Sequence, residues 1–175
     1  MQRELIRHPD FPCAAVARIA VDVARAGSSL RIDYHVTGAI DALALPAVST
    51  PERTDELWKH TCFEAFLRPA PGKAYLEFNL APSTRWAAYH FDDTRQGMRN
   101  VDMPPPVIEI ERGAGSLVLR ATLAVPDGAL GLGLSAVIEE RGGAKSYWAL
   151  AHPAGKPDFH HSDCFALELP AACAR

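Results

Sequence analysis

Thr61-Cys62-Phe63-Glu64-Ala65-Phe66-Leu67 and Tyr75-Leu76-Glu77-Phe78-Asn79-Leu80 decide how this chain folds. Apolar and polar side chains alternate with period two in both runs. Pro69-Ala70-Pro71-Gly72 between them has the composition of a turn, so the pair reads as a β-hairpin. Pairing Arg68 with Lys73 across a four-residue loop sets Phe63 opposite Phe78, Ala65 opposite Leu76 and Glu64 directly opposite Glu77. A shift of one residue would turn each glutamate onto the apolar row, which a buried face rejects. Like charges facing each other across a sheet are destabilising, so this register calls for compensation by an arginine, a shared proton, a cation or a ligand.

Outward from the hairpin, short alternating runs continue between 14 prolines and 12 glycines, with little 3.6-residue periodicity. About ten strands are expected: Val16 to Arg25, Ser29 to Thr37, Thr61 to Arg68, Lys73 to Leu80, Trp86 to Asp92, Val107 to Arg112, Ser116 to Val125, Gly131 to Arg141, Ser146 to Ala151 and Cys164 to Leu169. Ala26-Gly27-Ser28, Gly113-Ala114-Gly115 and Gly142-Gly143-Ala144 read as tight hairpin turns. In the clearest strand, Leu117, Leu119, Ala121 and Leu123 form an inner row against Val118, Arg120 and Thr122. The expected architecture is an all-β, antiparallel two-sheet sandwich of jelly-roll type, forming one domain over residues 1–175. Ser49-Thr50-Pro51-Glu52 is expected to cap a short helical turn. The stretch Ala151 to Asp163 is too rich in proline and polar groups for a strand and reads as a functional loop, and Thr94 to Pro106 is a further irregular stretch.

Composition narrows the function. Lys+Arg 18 and Asp+Glu 21 are interspersed at net charge −3, leaving no basic stripe for nucleic acid. The beginning of the sequence has no signal-peptide pattern, and no run approaches the roughly 20 apolar residues of a membrane helix, so a cytoplasmic protein is expected. Cys13, Cys62, Cys164 and Cys173 show no C-x-x-C pairing and read as reduced thiols.

The Glu64/Glu77 face also presents Cys62, Phe66, Tyr75 and Asn79. That mixture suits a sugar, whose C–H faces stack on aromatic rings while its hydroxyls meet carboxyl and amide groups. Trp58, Trp86, Tyr89 and Trp148 add aromatic surface, with Trp86 equally readable as core. A structural ion network through Arg85, Arg95 or Arg99 is the bland alternative for the glutamates. A glycosidase acid and nucleophile pair is another, at a cross-strand spacing of about 5 Å, but it requires two dissimilar carboxyl environments. His60, His152, His160, His161 and Asp158 offer metal-type donors without a compact ligand spacing, so no metal is assigned. Met98 with a histidine offers a haem-type pair. No G-x-S-x-G is present, and Cys62 has only nearby His60 as a sequence-visible base.

Leu57-Trp58-Lys59-His60-Thr61-Cys62-Phe63-Glu64, Tyr75 to Ser83, Trp86-Ala87-Ala88-Tyr89, Arg95-Gln96-Gly97-Met98 and Ser146 to His160 together resemble bacterial DOMON-like proteins, which are similar to type 9 carbohydrate-binding modules. The resemblance implies a β-sandwich whose relatives bind sugars or haem. It implies an aromatic role for Trp58, Trp86 and Trp148, and hydroxyl binding by Glu64, Glu77, Asn79 and Arg95. Haem would instead require Met98 and either His152 or His160. The expected function is non-catalytic binding of a small saccharide or other polar metabolite. Its site would comprise Trp58, Glu64, Tyr75, Glu77, Asn79, Trp86, Arg95, Trp148, His152 and His160, with no resident cofactor, no nucleic-acid or membrane partner, and no oligomeric state specified.

Overall fold

The computed structural model describes residues 1–171, so Cys173 lies outside the described residues. Twelve strands occur among them: β1 Gln2–Arg7, β2 Val16–Ala26, β3 Ser29–Gly38, β4 Cys62–Pro69, β5 Tyr75–Leu80, β6 Trp86–Phe91, β7 Arg99–Asn100, β8 Val107–Arg112, β9 Ser116–Ala124, β10 Leu130–Glu139, β11 Lys145–Ala149 and β12 Leu167–Leu169. The fold is all-β, as the alternation predicts. Its strands form one antiparallel curled sheet in the order β7-β6-β5-β4-β10-β11-β1-β2-β3-β9-β8, with β12 beside the start of β10. β1 is the seam. Its Gln2–Leu5 segment pairs with β2, while Ile6 and Arg7 pair with β11.

Curling brings the two halves of the sheet around a common apolar core. Ile19, Val21, Ile32, Tyr34, Leu117 and Leu119 come from one half; Phe63, Leu67, Phe78, Leu80, Leu134 and Ile138 come from the other. Tyr34 ties the halves together: its ring lies 5.0 Å from Phe63, and its hydroxyl donates to the Glu64 carbonyl oxygen at 2.8 Å. The buried hydroxyl thereby finds the partner that burial demands, and it fixes β4 at the middle of the site-bearing half.

The inner row Leu117, Leu119, Ala121 and Leu123 is buried as expected. The turns at Gly27-Ser28, Gly113 to Gly115 and Gly142 to Ala144 join the predicted neighbours. Elsewhere the structure departs from expectation. β1 and the two-residue β7 were not legible as strands, because β1 buries only Leu5 and β7 buries neither residue. The Cys164 to Leu169 run is a 3₁₀ turn at Ser162–Cys164 followed by the short β12. The helical turn expected at Ser49 lies instead at Leu57–Lys59 without a side-chain cap, while Ser49 bonds the Ser83 carbonyl.

The hairpin register is also corrected. Glu64 stands opposite Asn79, and Glu77 opposite Phe66; the last β4–β5 pair is Leu67 with Leu76. The glutamates are therefore diagonal neighbours, displaced by two residues from the predicted face-to-face pairing. Arg68 and Pro69 continue β4 against β10 rather than turning back, and Ala70 bonds Ala129, which widens the connection. A two-residue slide preserves which side of the sheet each residue faces, so the assignment of faces stands.

Candidate functional site

The half of the sheet containing β4, β5, β6, β10 and β11 is covered on both faces. One face meets the core, and the other carries a lattice that the registers define. Ala87, Asn79, Glu64, Ser135 and Ala149 run across it as one row; Tyr89, Glu77, Phe66 and Gly133 form the next. Residues 151–165 fold over this second face, where Phe159 and Phe165 join Phe66, Tyr75, Tyr89 and Phe91 in a smaller apolar cluster. Gly133 permits the cover to sit close: a Cβ there would lie 3.0 Å from the Cys164 carbonyl oxygen and 3.4 Å from Phe66 Cβ.

Beside this cover a cleft of about 530 Å³ remains open. Glu64 and Glu77 lie in its floor with Val137 and Phe91. Trp58, Tyr147, Phe159 and Met98 supply apolar walls, and Lys59, Arg95 and Lys145 contribute cationic groups. The volume and the mixture of apolar surface with a few convergent polar groups fit a small-ligand site.

Glu64 and Glu77 are 3% and 5% exposed. Ser135 Oγ donates to Glu64 Oε2 at 2.9 Å, and Asn79 Nδ2 donates to Glu77 Oε1 at 2.7 Å. These fixed donors orient the carboxyl groups without neutralising them. The nearby guanidinium of Arg95 is 58% exposed and bound to Asp158 at 2.7 Å, so the arginine network considered from sequence is not built on the glutamates. Burial, and then the charge of Glu77, push the Glu64 carboxyl well above the usual range. Burial does the same to Glu77 against the opposing Asn79 hydrogen bond and the Arg95 charge. A proton held within the pair is thus part of its compensation.

A polar chain descends from the Arg95 turn. Arg95 adopts φ +55°, a left-handed conformation uncommon for a residue with a Cβ, and its backbone N–H donates to the Tyr75 hydroxyl at 3.2 Å. Gly97 closes the turn at φ +66°, where a Cβ would collide with the Asp92 carboxylate. The Tyr75 hydroxyl lies 2.7 Å from His160 Nδ1. With Tyr75 donating to Nδ1, the imidazole proton resides on Nε2, 3.7 Å from Glu77 Oε2. Burial and the Arg95 charge lower the His160 pKa to about 4, so at neutral pH this contact joins a neutral imidazole to Glu77 rather than forming an ion pair.

Of the residues expected at the site, Trp58, Glu64, Glu77, Arg95 and His160 line the cleft. Asn79 and Tyr75 lie behind it and hold Glu77 and His160. Trp86 and Trp148 point through the sheet into the main core, where Trp86 lies beneath Arg53 and Trp148 donates to Ser146. His152 braces the covering loop by bonding the Ile6 carbonyl at 2.8 Å. The cleft does not bring the three tryptophans together. The sequence reading missed Tyr147, Val137, Phe91, Phe159 and Lys145 as cleft residues and Ser135 as a supporting donor. Alternation in Ser146-Tyr147-Trp148-Ala149 separates Tyr147 from Trp148, but only the pairing of Tyr147 with Val137 reveals which face bears the cleft.

Cys62 shares the Glu64 face, but burial pushes its thiol well up, and its Sγ lies 3.5 Å from Asn79 Oδ1. It is a buried structural thiol rather than an activated nucleophile. Among the described residues no cluster of three or more His, Cys, Asp or Glu has metal-binding geometry. No helix among them is long and apolar enough to cross a membrane.

No protein-family model matches the chain, and no curated protein matches it. Two solved chains match it. One is the crystal structure of a Bacteroides uniformis protein provisionally described as carbohydrate-binding, superposing at a TM-score of 0.68 over 94% of this chain and 83% of that one, with 14% sequence identity. At that identity the similarity carries the architecture and no residue role.

Proposed function

We propose that this chain is a non-catalytic binding module of the cytoplasm that holds a carbohydrate or related polar metabolite in the cleft beside residues 151–165. In this reading the curled sheet is a β-sandwich of the DOMON type, similar to type 9 carbohydrate-binding modules. One observation carries the proposal: two buried carboxyl groups, each oriented by a neutral donor, form the floor of a cleft with aromatic walls. An ionised carboxylate accepts from a hydroxyl and a protonated one donates, so a pair holding one proton matches vicinal hydroxyls. Trp58 and Tyr147 present surface to the C–H faces. The description of the B. uniformis structure supports the same ligand class.

Glycoside hydrolysis needs environments that push the two carboxyl groups apart in acidity, whereas burial here raises both. Haem ligation through His160 Nε2 would replace its contact with Glu77 and require Nδ1–H to donate to Tyr75 instead. Calorimetric titration against a saccharide panel tests binding, and chromogenic glycosides test turnover. Binding without product release is expected; product release would overturn the non-catalytic reading. Tyr147→Ala should weaken binding by roughly tenfold, because an aromatic contact is removed while the floor remains.

A further inference from the structure

The cleft adjoins a second hollow of about 370 Å³, bounded by Asp55, Trp58, Tyr89, Met98, Arg99 and Asn100. Trp58 and Met98 belong to both. They form an apolar partition between the spaces, and Met98 remains 50% exposed. The partition has a fixed base: Trp58 stands edge-to-face on Tyr89 at 6.0 Å, and the buried Tyr89 donates its hydroxyl to Asp55 Oδ1 at 2.7 Å. Tyr89 in turn lies directly opposite Glu77 in the sheet, so one row of residues underlies both hollows.

We propose that these hollows are adjacent subsites for a linear saccharide of at least two residues, which crosses the Trp58–Met98 partition. The proposal rests on the saccharide reading of the cleft and extends it to chain length. The second hollow combines the shared indole and thioether with a carboxylate, an amide and a guanidinium of its own. Arg99 is held in place by Asp92 at 2.8 Å and the Gly97 carbonyl at 3.1 Å. The exposed Asn100 belongs to the second hollow alone. A tryptophan shared by both spaces offers ring surface beside the linkage, and Met98 supplies an adaptable apolar contact that the ligand covers.

The test is calorimetric titration of the wild-type chain and Asn100→Ala with glucose, galactose, mannose and xylose and their linear di- and trisaccharides. For the recognised sugar, the disaccharide should bind at least about tenfold more tightly than the monosaccharide. Asn100→Ala should lose much of that gain while retaining the affinity for the monosaccharide. Equal affinity for the two lengths, or an Asn100→Ala chain that keeps the whole gain or weakens both lengths alike, overturns the second subsite and leaves the proposed function standing. Absence of binding by every member of the panel overturns both.

Discussion

At the scale of single residues, Glu64 and Glu77 decide how the molecule responds to pH. Their folded-state pKa values are raised by burial, so they add stability that is complete below the ordinary carboxylate range and is lost as pH rises through the raised values. Glu64→Gln keeps the shape and removes the charge. Thermal unfolding should therefore give a wild-type Tm that declines from pH 5 to pH 9, and a flatter profile for the variant with a higher Tm at pH 9. Each tenfold change in proton affinity relieved is equivalent to about 1.4 kcal/mol. Equal slopes for the two chains would mean that the glutamates do not carry this cost. His160 has the opposite sign. Its lowered pKa makes the neutral ring part of the fold, and that contribution is lost as pH falls from its ordinary value towards about 4. Alternation identified the glutamates and their shared face, but the fixed donors could not be read. Ser135 is 71 positions from Glu64 in sequence and reaches it only through β10.

At the scale of elements, residues 151–165 and the strand ends that hold them determine whether the cleft keeps its shape. His152 bonds the Ile6 carbonyl at 2.8 Å, and His8 Nε2 lies 2.9 Å from the Gly155 carbonyl oxygen; the two rings meet edge-to-face at 4.9 Å. Burial and the neighbouring His8 lower the His152 pKa against the Ile6 hydrogen bond, so the neutral ring is favoured and the packing of residues 151–165 around it loses stability as pH falls below about 6.5, the ordinary histidine value. Hydrogen exchange should show residues 151–165 opening faster at pH 5 than at pH 7.5, and His152→Ala should open them at both pH values. Protection unchanged by either would remove the brace from the account. Gly133→Ala should cost about 1 kcal/mol in a denaturant melt, because its Cβ presses on the Cys164 carbonyl. The loop was legible from its proline and polar content. Its landing place was not, because Gly133 reads as an ordinary weak point in a strand until the cover is in position.

For the whole molecule, one half of the curled sheet serves two roles at once. Its core face packs Phe63, Phe78, Trp86 and Trp148, while its other face bears the cleft. Substitutions on the two faces should therefore separate cleanly. Phe63→Ala should cost about 3–5 kcal/mol in chemical denaturation. Tyr147→Ala, on a half-buried wall residue, should cost about 1 kcal/mol or less while weakening saccharide binding. A large stability loss from Tyr147→Ala would mean that the cleft wall is part of the core. The sequence by itself determined the strand-forming pattern, most hairpin turns and the sharing of one face by Glu64, Glu77, Cys62 and Asn79, because these depend on local periodicity and backbone preference. Tertiary structure decided the diagonal register, the burial of Trp86 and Trp148, and the meeting of Trp58, Tyr147 and His160 around the glutamates. In strands buried on both sides, alternation separates two faces without saying which one meets the core; only the curl of the sheet and the loop folded across it make that distinction.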